Sequence, residues 1–506
     1  KNSRTVLTES ATQPLLILEP ARGPSAEFGI RLLYSCSLKT TAPALKPQPV
    51  LKSEAEQITS LPGFTGTRLP LNASIMPTAL DWRPDGTLIF TSLKGHVYLA
   101  RDTDGDGLED ALTVFEEGLA APYGILADGD DIIVAHKPEL LRLKDTDGDG
   151  RADQREVLAT GWGYNDNYHD WTTGIVRDDA GNLYIGLGSD YAQPKRPHEE
   201  SRWRGKVLRV APDGTITPIG HAFRYPTGLA RNTRGQIFVT DNQGVQNTFN
   251  EFNLLQEGVA YGVPARIEEL RDAPQQPPAV QIPHPLTRSV NGVFFLNSRE
   301  QFPQLAGQAI GCEYDTRFLV RLSIQEVDGV TQGAAYTFSR PGSGAGGSNF
   351  NGPLSGAVSP SGEIYIGSIH DSGWLGGRNT GSIARLRRSG PLPAGIRELR
   401  ATAAGFEVEF TTPVDPQRAV DMEAWSISGY TRKWEGAYST PDSGRHSPEL
   451  KQASISADNR TVQLTVSGLR PGHVYEVSCG KIGLDSGEAL FPSTGHYTLH
   501  RIPQAD

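Results

Sequence analysis

Residues 224–241 read RYPTGLARNTRGQIFVTD: a small-residue segment, PTGL at 226–229, then a polar turn, then an apolar segment, GQIFV at 235–239. A third segment, FNL at 252–254, follows. The same order recurs on both sides. Small-residue segments stand at 77–80, 122–125, 172–175, 291–294 and 354–357, each followed by an apolar strand at 86–90, 131–134, 181–185, 307–310 and 362–366. Third strands, several with an Arg in their second half, lie at 97–98, 140–143, 207–210, 319–322 and 383–386. The period is about 40 to 50 residues, the range of propeller blades. A β-sandwich of the same length predicts no such period.

The pattern has a physical reason. Innermost strands crowd around a central channel, where bulky side chains collide. Second strands are packed between neighbouring blades, so they are apolar and β-branched or aromatic. Six repetitions predict an all-β fold, a six-bladed β-propeller over residues 61–391, with residues 63–71 supplying a strand that closes the ring. Further on, FEVEF at 406–410, WSIS at 425–428, VQLTV at 462–466 and VYEV at 474–477 alternate strictly. Such alternation marks half-buried antiparallel strands and predicts an immunoglobulin- or fibronectin-like β-sandwich over 395–506. Residues 1–60 are Pro-rich and irregular after LLIL at 15–18, as expected of the tail of an upstream domain.

At 506 residues the chain exceeds what one hydrophobic core supports. No apolar run is long enough for a transmembrane helix. A net charge of −10 with no basic run argues against nucleic acid and anionic membrane as partners. Cys36, Cys312 and Cys479 form no CxxC, zinc or haem-attachment spacing. The chain begins at Lys1 with no signal peptide in view, as expected of a processed or excised product.

Two segments are near copies, DTDGDGLED at 102–110 and DTDGDGRAD at 145–153. Carboxylates at positions 1, 3, 5 and 9 with Gly at 6 match the start of an EF-hand-type calcium loop, since calcium takes six to eight hard oxygen ligands. The candidate ligands are Asp102, Asp104, Asp106 and Asp110 in the first loop, and Asp145, Asp147, Asp149 and Asp153 in the second. Glu156 stands at position 12 of the second loop, the usual bidentate place; the first has Thr113 there. Neither loop is flanked by helix signals. Both fall outside the inner-strand positions, so the expected role of calcium is structural. Calcium loops of this kind point indirectly to a periplasmic or secreted protein.

The repeat also predicts which residues meet. Loops after each second strand, and those before each inner strand, share one face. They bring His136 with Lys137, Asp190, Asp241 with Asn242, Glu313 with Asp315, and His370 with Asp371 to one mouth. His169 with Asp170, Arg224 with Tyr225, and Arg288 join them. One reading makes His169 a general base beside Asp170 or Asp190, with Arg224 stabilising developing negative charge. Another makes His136, His169 and His370 a transition-metal site.

At blades 3 and 4 the sequence resembles the soluble PQQ-dependent glucose/sorbosone dehydrogenase family. The resemblance rests on His169, GNLYIGLG at 181–188, GKVLR at 205–209, FRYPTG at 223–228, DNQG at 241–244, NEFN at 250–253 and YGVP at 261–264. It implies His169 as the base that takes a sugar hydroxyl proton. It also implies Arg224, with Tyr225, as cofactor contacts, and a calcium ion at Gly244, Val245 and Asn250. That family holds the PQQ carboxylates with cations from blades 5 and 6. Here the matching stretches are CEYDTR at 312–317 and SNFNG at 348–352, where Arg317 alone could serve. The paired DTDGDG loops look more like the propeller domain of large planctomycete and verrucomicrobial exported proteins, often called membrane-bound dehydrogenase-like and often joined to c-type cytochromes.

Three functions remain open at this point. The first is an exported dehydrogenase passing hydride from a carbohydrate or polyol to PQQ or a related quinone, with a c-type cytochrome as electron acceptor. The second is a calcium-stabilised propeller that binds glycans or proteins without catalysis. The third is a hydrolase or polysaccharide lyase at the same mouth. Fold alone does not separate them.

Overall fold

Small residues line the centre of this molecule because backbones meet there. In the computed structural model, a side chain at Gly124 would run into the Gly174 carbonyl, and one at Gly228 into that of Asn291. The structure describes residues 54–58, 61–164, 170–189, 203–244, 247–262, 276–284, 286–339, 350–373, 376–435, 440–483 and 489–505, and the backbone of Thr5–Glu9 and Pro14–Leu18. The chain divides into a unit of residues 1–49, where those last two strands pair antiparallel, and a unit of residues 50–506.

The second unit is built on the expected repeat. The innermost strands are Pro77–Trp82, Gly124–Asp128, Thr172–Arg177, Pro226–Arg231, Val290–Phe295 and Pro353–Val358. Each touches the next, and the last returns to the first. Each leads a sheet whose first three strands run outward in chain order and antiparallel, which makes six blades among the described residues; in blade 3 a short strand, Val259–Ala260, adds in parallel at the outer edge. Second strands such as Leu88–Ser92 and Ile237–Asp241 are buried along their whole length, as strands covered on both faces must be. In blade 4, Phe238 stacks on Phe252 at 4.8 Å and meets Phe295 of blade 5 edge-on at 5.6 Å. Truncating such a core aromatic costs about 3–5 kcal/mol.

Blade 6 takes its fourth strand from the other end of the unit. Phe64–Arg68 pairs with Thr380–Arg388, which is the ring closure predicted for residues 63–71. Glu56–Ile58 adds a fifth strand.

Blade 5 does not stop at its fourth strand. Val330–Thr337 pairs with Thr494–Leu499, and the sheet continues through His473–Ser478, Ser426–Thr431 and Ser443–His446. A second sheet, ordered Ile396–Thr402, Gly405–Phe410, Thr461–Ser467 and Glu449–Ile455, packs against it. Between them lies a core containing Tyr336, Phe406, Phe410, Trp425, Tyr475 and Tyr497. The C-terminal strands therefore share a sheet with the propeller. The reason is visible in Val330–Thr337, whose residues 331–336 are all buried and could not form an exposed edge. Among the described residues, no helix is long and apolar enough to cross a membrane.

Candidate functional site

The second strands of blades 2, 4 and 5 end in the same slot, and its side chain has the same task in each. Asp241 closes the strand Ile237–Asp241 and accepts the N–H groups of Arg224 at 2.8 Å and Tyr225 at 2.6 Å. Glu313 closes Ala309–Glu313 and accepts those of Arg288 at 2.9 Å and Ser289 at 2.6 Å. Its other oxygen takes both the N–H and the hydroxyl of Thr316. His136 closes Asp131–His136, and its Nδ1 accepts the Ala120 N–H at 3.2 Å. Each pins the loop that leads to its blade's inner strand.

This corrects the sequence reading of Asp241, Glu313 and His136 as ionisable groups of an open mouth. All three are buried, and backbone donors occupy them. Burial raises the Asp241 carboxyl to about 6 and pushes Glu313 up as well. For His136, burial lowers the pKa below the usual imidazole range, so the ring is neutral; with Nδ1 accepting, its proton sits on Nε2, 3.4 Å from Glu139.

The pins place other side chains around a cavity of about 510 Å³ at this end of the ring. Its charged lining comprises Lys137, Arg224, Arg288, Asp315 and Asp371. The Arg224 guanidinium lies 4.6 Å over the Tyr225 ring, and Tyr225 also lines the cavity. Arg288 Nε is 3.0 Å from Asp315, and the Tyr314 hydroxyl donates to Asp371. Tyr123 and Trp171 form a stacked wall at 4.8 Å.

Gln243 also lines the cavity; it is 1 % exposed, and neither its Nε2 nor its Oε1 has a partner among the described residues. The Tyr123 hydroxyl is likewise buried and unpartnered. A buried polar group left unpaired costs about 1–3 kcal/mol, so these atoms mark where a ligand would be held. In sequence, Gln243 was only one letter of the DNQG motif, with nothing to show its burial.

The remaining predicted residues fall in several places. His169, Asp190 and Val245 lie outside the described residues. Asp170 is buried in an ion pair with Arg204 and does not line the cavity. Arg317 does not line it either: it ends the turn after Glu313 in a left-handed conformation, φ 64°, and the nearby cation in the cavity is Arg288. His370 stays outside while its neighbour Asp371 enters.

Asn250, implied as a calcium position, is spent internally. Its Oδ1 accepts the Gln243 N–H at 3.2 Å, and its Nδ2 donates to Thr287 at 2.9 Å. The adjacent Glu251, not singled out from sequence, has fewer internal partners. It is buried beside Asp241, accepts only from Asn253 at 3.3 Å among the described contacts, and burial raises its pKa well above the usual carboxyl range.

Among the described residues, acidic or histidine groups converge in two places, Asp102, Asp104 and Asp106, and Asp145, Asp147 and Asp149, with ligand atoms within 4.8 Å of one another. No histidine belongs to either, so the three-histidine centre is not formed by His136 and His370. Asp102 accepts the N–H groups of Gly105 at 2.8 Å and Gly107 at 2.7 Å, and Asp145 repeats the pattern. Asp110 and Asp153 each accept the N–H and hydroxyl of the loop's threonine, Thr103 or Thr146.

Glu156 is no loop ligand. It sits in the strand Gln154–Thr160, directly opposite Arg142, and pairs with Arg142 at 3.3 Å and Lys144 at 3.8 Å. Both loops lie on blade seams away from the cavity. Arg385 of blade 6 donates to the Gly107 carbonyl, and the Ala152 N–H reaches Phe115 of blade 1 at 2.8 Å.

Ring, pinned loops and axial cavity together define a propeller of the PQQ-dehydrogenase fold. The holo form of the pyranose dehydrogenase PQQ domain from Coprinopsis cinerea is similar over 67 % of this chain and 98 % of its own, at 14 % identity and TM-score 0.51. Also similar are a putative oxidoreductase (glucose dehydrogenase) from Thermus thermophilus, at 17 % identity, 66 % and 99 % coverage and TM-score 0.49, and the PQQ-bound aldose sugar dehydrogenase from Streptomyces coelicolor, at 15 %, 66 % and 98 %, and 0.48. The resemblance read from blades 3 and 4 is borne out at the level of fold. No curated protein matches the sequence. Residues 78–366, more than half of the chain, match the family described as "Domain of unknown function (DUF7133)", and the chain belongs to it.

Proposed function

We propose that the mouth cavity binds a flat, anionic quinone of the PQQ class and that the protein oxidises a carbohydrate or polyol there. The observation that carries this reading is that three cations, Lys137, Arg224 and Arg288, line the same cavity as the unsatisfied Gln243 amide. The residues present fit such a group. The cavity volume is in the range of cofactor sites, about 300–1,000 Å³. Among the described residues, three cations line the cavity against the two carboxylates Asp315 and Asp371, and the stacked Tyr123 and Trp171 offer an aromatic wall.

Arg224 and Lys137 would hold carboxylates by charge-assisted hydrogen bonds, and the Gln243 amide would reach ring oxygens or nitrogens. The resemblance assigns a calcium ion to Gly244, Val245 and Asn250, and the buried carboxyl of Glu251, next to Asn250, would add a hard oxygen ligand. When bound, the quinone supplies the acceptor for a hydride leaving an alcohol carbon. The protein's own part is proton removal and charge stabilisation. His169 is the base that the resemblance assigns, and Arg224 stabilises negative charge developing on the substrate oxygen. Asp315 and Asp371 accept hydrogen bonds from further substrate hydroxyls. A c-type cytochrome as electron acceptor, and a periplasmic or secreted location, complete the reading.

A carbohydrate-binding propeller without catalysis is the second reading, favoured by the aromatic and carboxylate lining of the same cavity. Calorimetric titration of the calcium-loaded protein with PQQ separates the two. Binding in the micromolar range, weakened at least about tenfold (about 1.4 kcal/mol) in Arg224→Ala and in Gln243→Ala, supports the cofactor. Reduction of an artificial acceptor on adding aldoses would then follow. No binding overturns the dehydrogenase reading, and glycan binding becomes the measurement of interest.

A further inference from the structure

Arg432 belongs to the C-terminal strands, yet its guanidinium is built into the propeller. It is 8 % exposed and donates to the carbonyls of Thr248 at 3.3 Å and His284 at 2.9 Å, while its Nε reaches Asp442 at 2.9 Å. It lies 4.6 Å over the ring of Phe249, which is itself 1 % exposed and packs with Tyr430 and Val474. One side chain therefore grips the blade 4 loop at Thr248 and the connection from blade 4 to blade 5 at His284.

Those two segments build one wall of the cavity. The first carries Asn242 and Gln243, and its internal bonds tie it to the gripped end. The Gly244 N–H donates to the Asn247 carbonyl at 2.7 Å, Asn247 Nδ2 to the Asn242 carbonyl at 3.0 Å, and the Gln243 N–H to Asn250. The second carries Arg288 and Ser289, and Ser289 Oγ bonds Asn242 Oδ1 at 3.1 Å. A planar fork with several donors suits two carbonyls and a carboxylate at once, which a lysine ammonium does not reproduce.

We propose that Arg432 is a positioning residue: the C-terminal strands clamp the Asn242 and Arg288 segments and so hold Gln243, Arg224 and Arg288 in place for the cavity's ligand. The clamp stands on contacts alone; its bearing on a quinone rests on the reading above.

Amide exchange of the ligand-free protein tests the clamp, comparing wild type, Arg432→Ala, and Val466→Ala as a control for general destabilisation of the C-terminal core. Arg432→Ala is expected to speed exchange about tenfold in peptides covering 242–250 and 284–290, with blades 1 and 2 unchanged and Val466→Ala without that local effect. Unchanged exchange in those peptides, or the same acceleration in Val466→Ala, would overturn the proposal. PQQ titration adds the functional arm. If the wild type binds, Arg432→Ala should weaken binding about tenfold and Val466→Ala should not. Failure of the wild type to bind overturns the cofactor reading only, and exchange still decides the clamp.

Discussion

A methyl group built on Gly244 would overlap the Arg224 guanidinium, so the glycine is there to let the arginine lie flat against the backbone. Gly244→Ala should displace Arg224 from the cavity while leaving the buried pins on Asp241 intact. The expected result is PQQ affinity reduced about tenfold by calorimetry, with a change in melting temperature of only a few degrees. His496 gives a prediction of a different kind. Its Nδ1 is shielded and unpartnered, and burial first, then Arg445 and Arg432, lowers its pKa to about 4. Between that value and the unfolded value of about 6.5, the unfolded chain binds a proton that the folded one refuses. Its contribution to stability is therefore complete above pH 6.5 and is lost as pH falls toward 4. Melting temperatures measured from pH 7 to 4 should fall more steeply in wild type than in His496→Gln; parallel curves would refute the assignment. At this scale the sequence was legible for Arg224 and Tyr225, which sit in a motif, and for Lys137, Asn242, Arg288, Asp315 and Asp371, which the repeat brings to the mouth. Asp241 and Glu313 were misread because a carboxylate facing solvent and one folded onto two N–H groups are spelled alike.

The DTDGDG loops belong to the scale of elements, because each ties one blade to another. Loop one is fixed to blade 6 through Arg385 and through Glu109, which takes the Tyr365 hydroxyl at 3.0 Å. This is the seam where the ring closes. Three carboxylates within 4.8 Å repel unless a cation joins them, so calcium removal should loosen that seam. Chelator should lower the melting temperature by several degrees, reversibly, and the effect should vanish in Asp102→Asn combined with Asp145→Asn. An identical response in that double variant would place the stabilising ion elsewhere. Strands and the convergence of the loop carboxylates were readable because period and spacing are local properties. Glu156 was not, because position 12 assumes a helix after the loop, and here a strand has begun and carries Glu156 across to Arg142.

On the scale of the whole molecule, the composition change near residue 391 suggested a place to cut, and the pairing of residues 330–337 with 494–499 argues against it. That pairing joins strands far apart in sequence, which no local pattern announces. Two consequences follow for a fragment of residues 50–391. It would bare the blade 5 strand Val330–Thr337, whose Ala334 and Tyr336 belong to the shared core, as an apolar edge. It would also strip Arg321, a buried guanidinium that lies 4.2 Å over Tyr336 and donates to the Ile396 carbonyl at 2.7 Å and to that of Arg397. Burial already lowers the Arg321 pKa to about 10, and removing those acceptors leaves it, among the described contacts, the Gln308 amide oxygen and the Tyr336 ring. The Tyr336 ring also loses its packing in the shared core, where truncating one buried aromatic costs about 3–5 kcal/mol. The fragment should therefore melt well below the 50–506 unit and self-associate in light scattering. Arg321→Met in the longer protein, which removes the charge together with its need for partners, should be tolerated far better. A monomeric 50–391 fragment with an unchanged melting temperature would show that the propeller stands without the sheet it shares.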